Sequence, residues 1–132
     1  MLLHPLVIHF PLALWLTSFF FDLLAWRRPD PMFRRVACWL VGLGMFWACV
    51  GIAFGWLDLL RLEREGIGTA LRLRHELHSQ MAYAAMLAYA INLCWRWRNH
   101  NEPTLWFLAF SFIAAVLIGA TGYLGGELRI VM

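Results

Sequence analysis

The chain has 132 residues, 62% of them hydrophobic and only 14% charged, with a formal charge of +3. A soluble domain carries about 25% charged residues, so the composition argues against a water-soluble enzyme and for an integral membrane protein. All eleven basic residues are arginines clustered beside apolar stretches; that pattern anchors a chain at lipid headgroups and argues against a nucleic-acid partner.

A helix needs about 20 apolar residues to cross roughly 30 Å of hydrocarbon, and a helix satisfies its own backbone there. The first such stretch covers about 6–26, with Asp22 its only formal charge and Arg27-Arg28-Pro29-Asp30-Pro31 after it. Pro5 suits a first helical turn, whereas Pro11 would remove a backbone bond from a helix already under way. Regular helix is therefore expected from about Phe10 or Pro11, or a kink there. Asp22, about one turn from the arginines, is expected to reach toward Arg27. No basic residue precedes the stretch and no small-residue cleavage site follows it, so it reads as a retained span.

The second stretch covers about 36–57, between Arg34-Arg35 and Asp58. The link Leu59–Arg74 alternates charge with leucine and is broken at Gly66 and Gly68; it reads as an amphipathic piece at the interface or a solvated loop. The third stretch, about 78–95, closes with Arg96-Trp97-Arg98, and the fourth, about 104–124, leads into Gly125-Gly126-Glu127. The expectation is an all-α integral membrane four-helix bundle, up-down-up-down, in a single domain over 1–132 with both termini on one side. The Trp residues near span ends read as interfacial belts, with Trp15 and Trp47 deeper as packing groups. Cys38, Cys49 and Cys94 form no CxxC and read as small packing residues.

This topology gathers His4, His9, Asp58, His75, His78 and Glu127 at one end, the histidine end. Arg27, Arg28, Arg34, Arg35, Arg96 and Arg98 mark the other, the arginine end. Imidazole is costly in hydrocarbon, so two histidine pairs at one end of a bundle are a candidate metal or haem site. His75 and His78, three residues apart, share a helix face. Two GxxxG motifs, Gly51–Gly55 and Gly122–Gly126, fall at the same level. They either pack helices closely or leave room for a flat ligand.

His4-Pro5-x-x-x-His9-Phe10-Pro11, Gly55-Trp56-Leu57-Asp58 and Gly122-Tyr-Leu-Gly-Gly-Glu-Leu128 resemble the motifs of a bacterial family of predicted four-helix inner-membrane proteins, domain of unknown function 2231. The resemblance covers essentially the whole chain. It implies the four-span topology, the bacterial inner membrane and the importance of the histidine end, and it supplies no settled activity. The family pattern of a third-helix histidine followed four residues later by Asn is broken here: Ser79 follows His75 and Ala82 follows His78. The family's continuation past Gly-Gly-Glu has no counterpart before Met132.

Six arginines mark the arginine end against five at the other (Arg61, Arg64, Arg72, Arg74 and Arg129). The positive-inside tendency then places the arginine end in the cytoplasm and both termini in the periplasm.

The leading functional expectation is a b-type cytochrome-like electron-transfer protein. Haem b would lie between helices one and three, with axial imidazoles from His9 and from His78 or His75. Gly55 and Gly122 would leave room for the ring, and Arg72 or Arg74 would meet the propionates. His4 would serve a second group or a quinone, and quinol or a redox protein would be the partner. A second expectation is a bare Zn, Cu or Fe ion held by His4, His9, His75 or His78 with Asp58 or Glu127. A third is an accessory subunit of a larger membrane complex or homo-oligomer. Electron transfer or binding is favoured over hydrolysis or group transfer.

Overall fold

The structure is a computed structural model that describes residues 4–66, 68–100 and 102–131, with the side chains of 5 and 128–131 excluded. The helices are α1 (His4–Val7), α2 (His9–Arg27), α3 (Pro31–Glu65), α4 (Thr69–Arg98) and α5 (Leu105–Val131), with no strand among the described residues. α1 and α2 are two pieces of one broken rod. Pro11 has no N–H to offer the Val7 carbonyl and its ring crowds that turn, so the break falls at Ile8, close to where the two prolines put it. The result is the expected four-rod, up-down-up-down bundle.

Three helices are long and apolar enough to cross a membrane: α2, α3 and 105–127 of α5, with mean hydropathies of 1.2, 2.0 and 2.1. α4 falls short of that standard because its inward face carries His78, Asn92 and Arg96 and its first turns are charged. It packs along α5 within the same bundle.

The link 59–74 differs from expectation. α3 runs on as helix to Glu65 and α4 starts at Thr69. Gly66 closes α3 with φ of 81°, the left-handed conformation a glycine adopts without penalty. At 1.5 Å per residue the 35 residues of α3 span about 50 Å, so its last turns stand beyond the hydrocarbon. At the opposite end Asp30 caps α3 by accepting the Met32 N–H at 2.8 Å, with Pro31 in the first turn.

α2 lies along α3 and α5, and it meets α4 through side chains, Trp15 on Tyr89 and Asp22 on Arg96. The buried residues of α2 are Pro11, Trp15, Ser18, Asp22 and Ala25. Those of α4 are His78, Ala85, Tyr89, Asn92 and Arg96. Both sets step mainly by three and four, the seam of parallel helices packed at a 3.5-residue period. Three pairs bridge it, each 74 apart in sequence: His4 with His78, Trp15 with Tyr89, and Asp22 with Arg96.

Trp15 stacks on Tyr89 with ring centres 4.1 Å apart, and its Nε1 donates to the Val41 carbonyl at 3.2 Å. Gly44 lets α3 pass against that indole; a Cβ there would fall inside the ring system. Gly44→Ala is therefore expected to cost about 1–3 kcal/mol, the usual penalty for overfilling a packed core. Thermal unfolding in detergent reads this, and an unchanged midpoint would mean that Trp15 does not sit there. Trp47, expected as packing, stacks on Phe10 at 4.7 Å.

Asp22 does not turn toward Arg27. Its two carboxylate oxygens accept from both terminal nitrogens of Arg96 at 2.7 and 2.6 Å, each residue only 2% exposed. Arg96 Nε donates to Asn92 Oδ1 at 2.8 Å and Asn92 donates to Ser111 at 2.8 Å. A planar guanidinium with a bidentate acceptor is the cheapest cation to bury, and the bundle interior offers that acceptor while Arg27 lies exposed. With Arg96 spent inside, the arginine end keeps five boundary arginines, the same number as the histidine end.

Candidate functional site

His4 is placed by α1, the short helical piece ahead of the Ile8 break. Its backbone N–H donates to Asp58 Oδ2 at 3.0 Å, and its ring Nδ1 lies 2.7 Å from the Gly51 carbonyl. A carbonyl only accepts, so Nδ1 carries the proton and Nε2 of the neutral ring keeps a free electron pair. An N–H anchored on a backbone carbonyl is the usual support of a metal-ligating histidine.

His78, on the seam face of α4, is 5% exposed, and its Nδ1 is buried without a hydrogen-bond partner among the described residues. The His4 and His78 rings stand edge to face with centres 5.9 Å apart. Two glycines make this possible. A Cβ on Gly55 would come within 3.1 Å of His4 Nδ1, and one on Gly125 within 2.9 Å of His78 Cε1.

His75 lies one turn before His78. Its carbonyl accepts from Ser79 Oγ at 2.9 Å, and the same hydroxyl lies 3.4 Å from its Nδ1. Burial holds its pKa below 6.5, the neighbouring His4 pushes it the same way, and Glu63 opposes both. The folded state thus disfavours the imidazolium more than the unfolded chain does. Stability from this group is complete above about pH 6.5 and is lost as pH falls through the depressed folded value. Thermal unfolding is expected to drop as pH falls below 6.5, with a shallower drop in His75→Gln; identical profiles would contradict this.

His4, His75 and His78 line one cavity of about 480 Å³ between α3 and α4, together with Trp56, Glu63 and Arg72. That volume lies within the range of small-molecule sites. Trp56 Nε1 donates to the Tyr83 hydroxyl at 2.9 Å across its wall, and Arg72 lies 3.7 Å from Glu63. Among the described residues, no group of three or more His, Cys, Asp or Glu side chains stands ready to hold one ion.

The sequence-based candidates divide. His4, His75, His78, Gly55 and Arg72 line this cavity. His9 does not: it is exposed and borders a second cavity of about 130 Å³ between the first rod and α5, which His4 also lines. Gly122 faces Leu12 instead of a histidine, and Gly125, overlooked in the sequence, takes the place expected of it. Gly55 gives its room to the His4 ring itself. Arg74 is exposed and lines neither cavity. Asp58 is buried, holding the His4 backbone and lying 4.0 Å from Arg61. Glu127 accepts from the Tyr123 hydroxyl at 3.0 Å and stands outside the site. Glu63, Trp56 and Tyr83 were also missed, since nothing in one dimension marks them until α3 and α4 extend past the apolar core.

No curated protein and no solved structure matches the chain. A family model described as a predicted membrane protein (DUF2231) matches residues 2–132, and the helical bundle agrees with it: the chain belongs to that family of membrane proteins.

Proposed function

We propose that the chain is a membrane electron carrier whose histidine end would hold haem b through His4 and His78. The observation that carries this reading is the approach of the two imidazoles from separate rods to 5.9 Å between ring centres. Two imidazoles that would share one metal, at about 2.0 Å per metal–nitrogen bond, need to approach about this closely. The donor set suits the group: His4 offers Nε2 while Nδ1 is anchored on Gly51, and the orphaned Nδ1 of His78 is a buried polar atom in need of a partner. Haem held by two imidazoles would supply one-electron chemistry.

The protein's own groups have definable parts in this. Asp58 fixes α1 through the His4 N–H, and Gly55 and Gly125 admit the two rings. Arg72, steadied by Glu63, is the cation on the cavity wall suited to propionates. Quinol is the membrane-soluble donor or acceptor that suits a cavity at this depth. The inner bacterial membrane, with the histidine end in the periplasm, is part of the same proposal. Single cysteines introduced at Glu65 and at Arg98 would report it by labelling from the two sides.

A second reading, a bare Zn, Cu or Fe ion on the two imidazoles, is favoured by one feature. The room made by both glycines is already filled by the histidine rings. The reduced-minus-oxidised spectrum of protein purified from haem-replete membranes separates the two. A sharp b-type α-band supports haem; stoichiometric metal without porphyrin in elemental analysis supports the ion; absence of both overturns the cofactor proposal.

A further inference from the structure

The arginine end holds more positive charge than the protein itself satisfies. Arg96 is spent on Asp22 inside the bundle, and Arg34 pairs with Glu102 at 3.1 Å, tying α3 to the connection between α4 and α5. Arg27, Arg28, Arg35 and Arg98 are exposed and have no acidic partner within ion-pair distance among the described residues. The remaining acid there, Asp30, is engaged in capping α3. Arg34 adds a second signal: its Nε is buried with no acceptor, although its Nη1 is paired. A donor in that position needs an oxygen that these residues do not provide.

The surface below the charges has a matching form. Arg35, Trp39, Leu43 and Phe46 are all exposed and follow one another at intervals of four, four and three, so they form one outward stripe on α3. Trp39, 72% exposed, stands one turn below Arg35; an indole at that depth marks the headgroup level of a bilayer. Basic heads over an interfacial indole and an apolar track match, in order, a phosphate, a glycerol backbone and an acyl chain.

We propose that the arginine end carries a binding site for acidic phospholipid headgroups, centred on Arg35 with Arg28 and the unpaired Nε of Arg34, the acyl chains lying along Trp39, Leu43 and Phe46. The occupant is a lipid and not a soluble anion, because the donors sit directly above a lipid-facing apolar stripe. The net positive excess selects acidic headgroups over zwitterionic ones. The site stands apart from the histidine cavity and does not depend on what that cavity holds.

The test titrates the full-length protein in neutral detergent with phosphatidylglycerol or phosphatidylcholine, reading the unfolding midpoint and the lipid retained in native mass spectrometry. Phosphatidylglycerol is expected to raise the midpoint and to be retained, with phosphatidylcholine doing neither. R28Q/R35Q should weaken the acidic lipid about 30-fold, the equivalent of about 1 kcal/mol per arginine near an anionic surface. R64Q, at the opposite end, should not. Should the double variant fail to fold, the wild-type protein still decides: raising salt from 50 to 500 mM should weaken phosphatidylglycerol binding at least tenfold. Equal effects of the two lipids, salt-independent binding, undiminished binding by R28Q/R35Q, or full competition by millimolar inorganic phosphate would each overturn the proposal.

Discussion

Replacing Arg96 by leucine is expected to cost about 3–5 kcal/mol of stability, the largest loss of any single substitution in the bundle. The reason is what stays behind. Asp22, 2% exposed, would lose the cation it pairs with, and an uncompensated buried charge is penalised by that amount. Asn92 would lose the donor to its Oδ1, and Phe107 the guanidinium 4.9 Å above its ring. The same logic makes a sharper second expectation. D22L/R96M removes both charges together and should recover most of the loss, because replacing a whole buried pair with apolar groups is often neutral or better. Unfolding midpoints of R96L, D22L/R96M and the exposed control R98L decide the matter. If R96L behaves like R98L, the pair is not buried as described.

The second large effect concerns ligand retention. His4→Ala and His78→Ala are each expected to abolish the bound cofactor, whereas His9→Ala should leave its stoichiometry within about twofold of wild type. His4 and His78 stand together at the top of the α2–α4 seam, and His9 is one position off it, facing outward. Asp58→Asn tests the support beneath them. It keeps an oxygen to accept the His4 N–H but removes the charge, and losses of 10–100-fold in affinity are usual for such supporting groups. Haem-to-protein ratios, with metal analysis alongside, read all four variants. Retention in His78→Ala together with loss in His9→Ala would reverse the assignment.

The two effects are linked through the fold. Asp22–Arg96 fixes the first rod against α4 at the arginine end, Trp15–Tyr89 holds them at mid-depth, and His4–His78 meets at the other end. All three pairs share one sequence offset, so one register sets the distance between the histidines. A helix pair that slipped by even one residue would carry His4 away from His78 and Asp22 away from Arg96 at once. The buried ion pair is weak as a source of stability, but it is a strong determinant of register.

Much of this was legible in the sequence. The spans, the helix break near Pro11 and the gathering of histidines at one end follow from apolar length and proline chemistry. The seam too is written in one dimension, since the α2 residues 11, 15, 18, 22 and 25 step by four and three. Reading each helix alone hid it. Asp22 has Arg27 five residues away and Arg96 seventy-four away, and only the bundle reveals which is reached. Depth in the apolar stretch singles out His9, whereas the bundle sets His4 beside His78. In the link after α3 the break at Gly66 was legible, and what charge alternation did not reveal is that the residues on either side stay helical.

Low-temperature electron paramagnetic resonance on the oxidised protein tests the central claim most directly, because it reports the ligands of the iron itself. A low-spin ferric signal of bis-imidazole type is expected in wild type and in His9→Ala, with loss of the signal in His4→Ala and in His78→Ala. A wild-type signal that disappears in His9→Ala yet survives in His4→Ala, or no haem iron at all in protein from haem-replete cells, would contradict it.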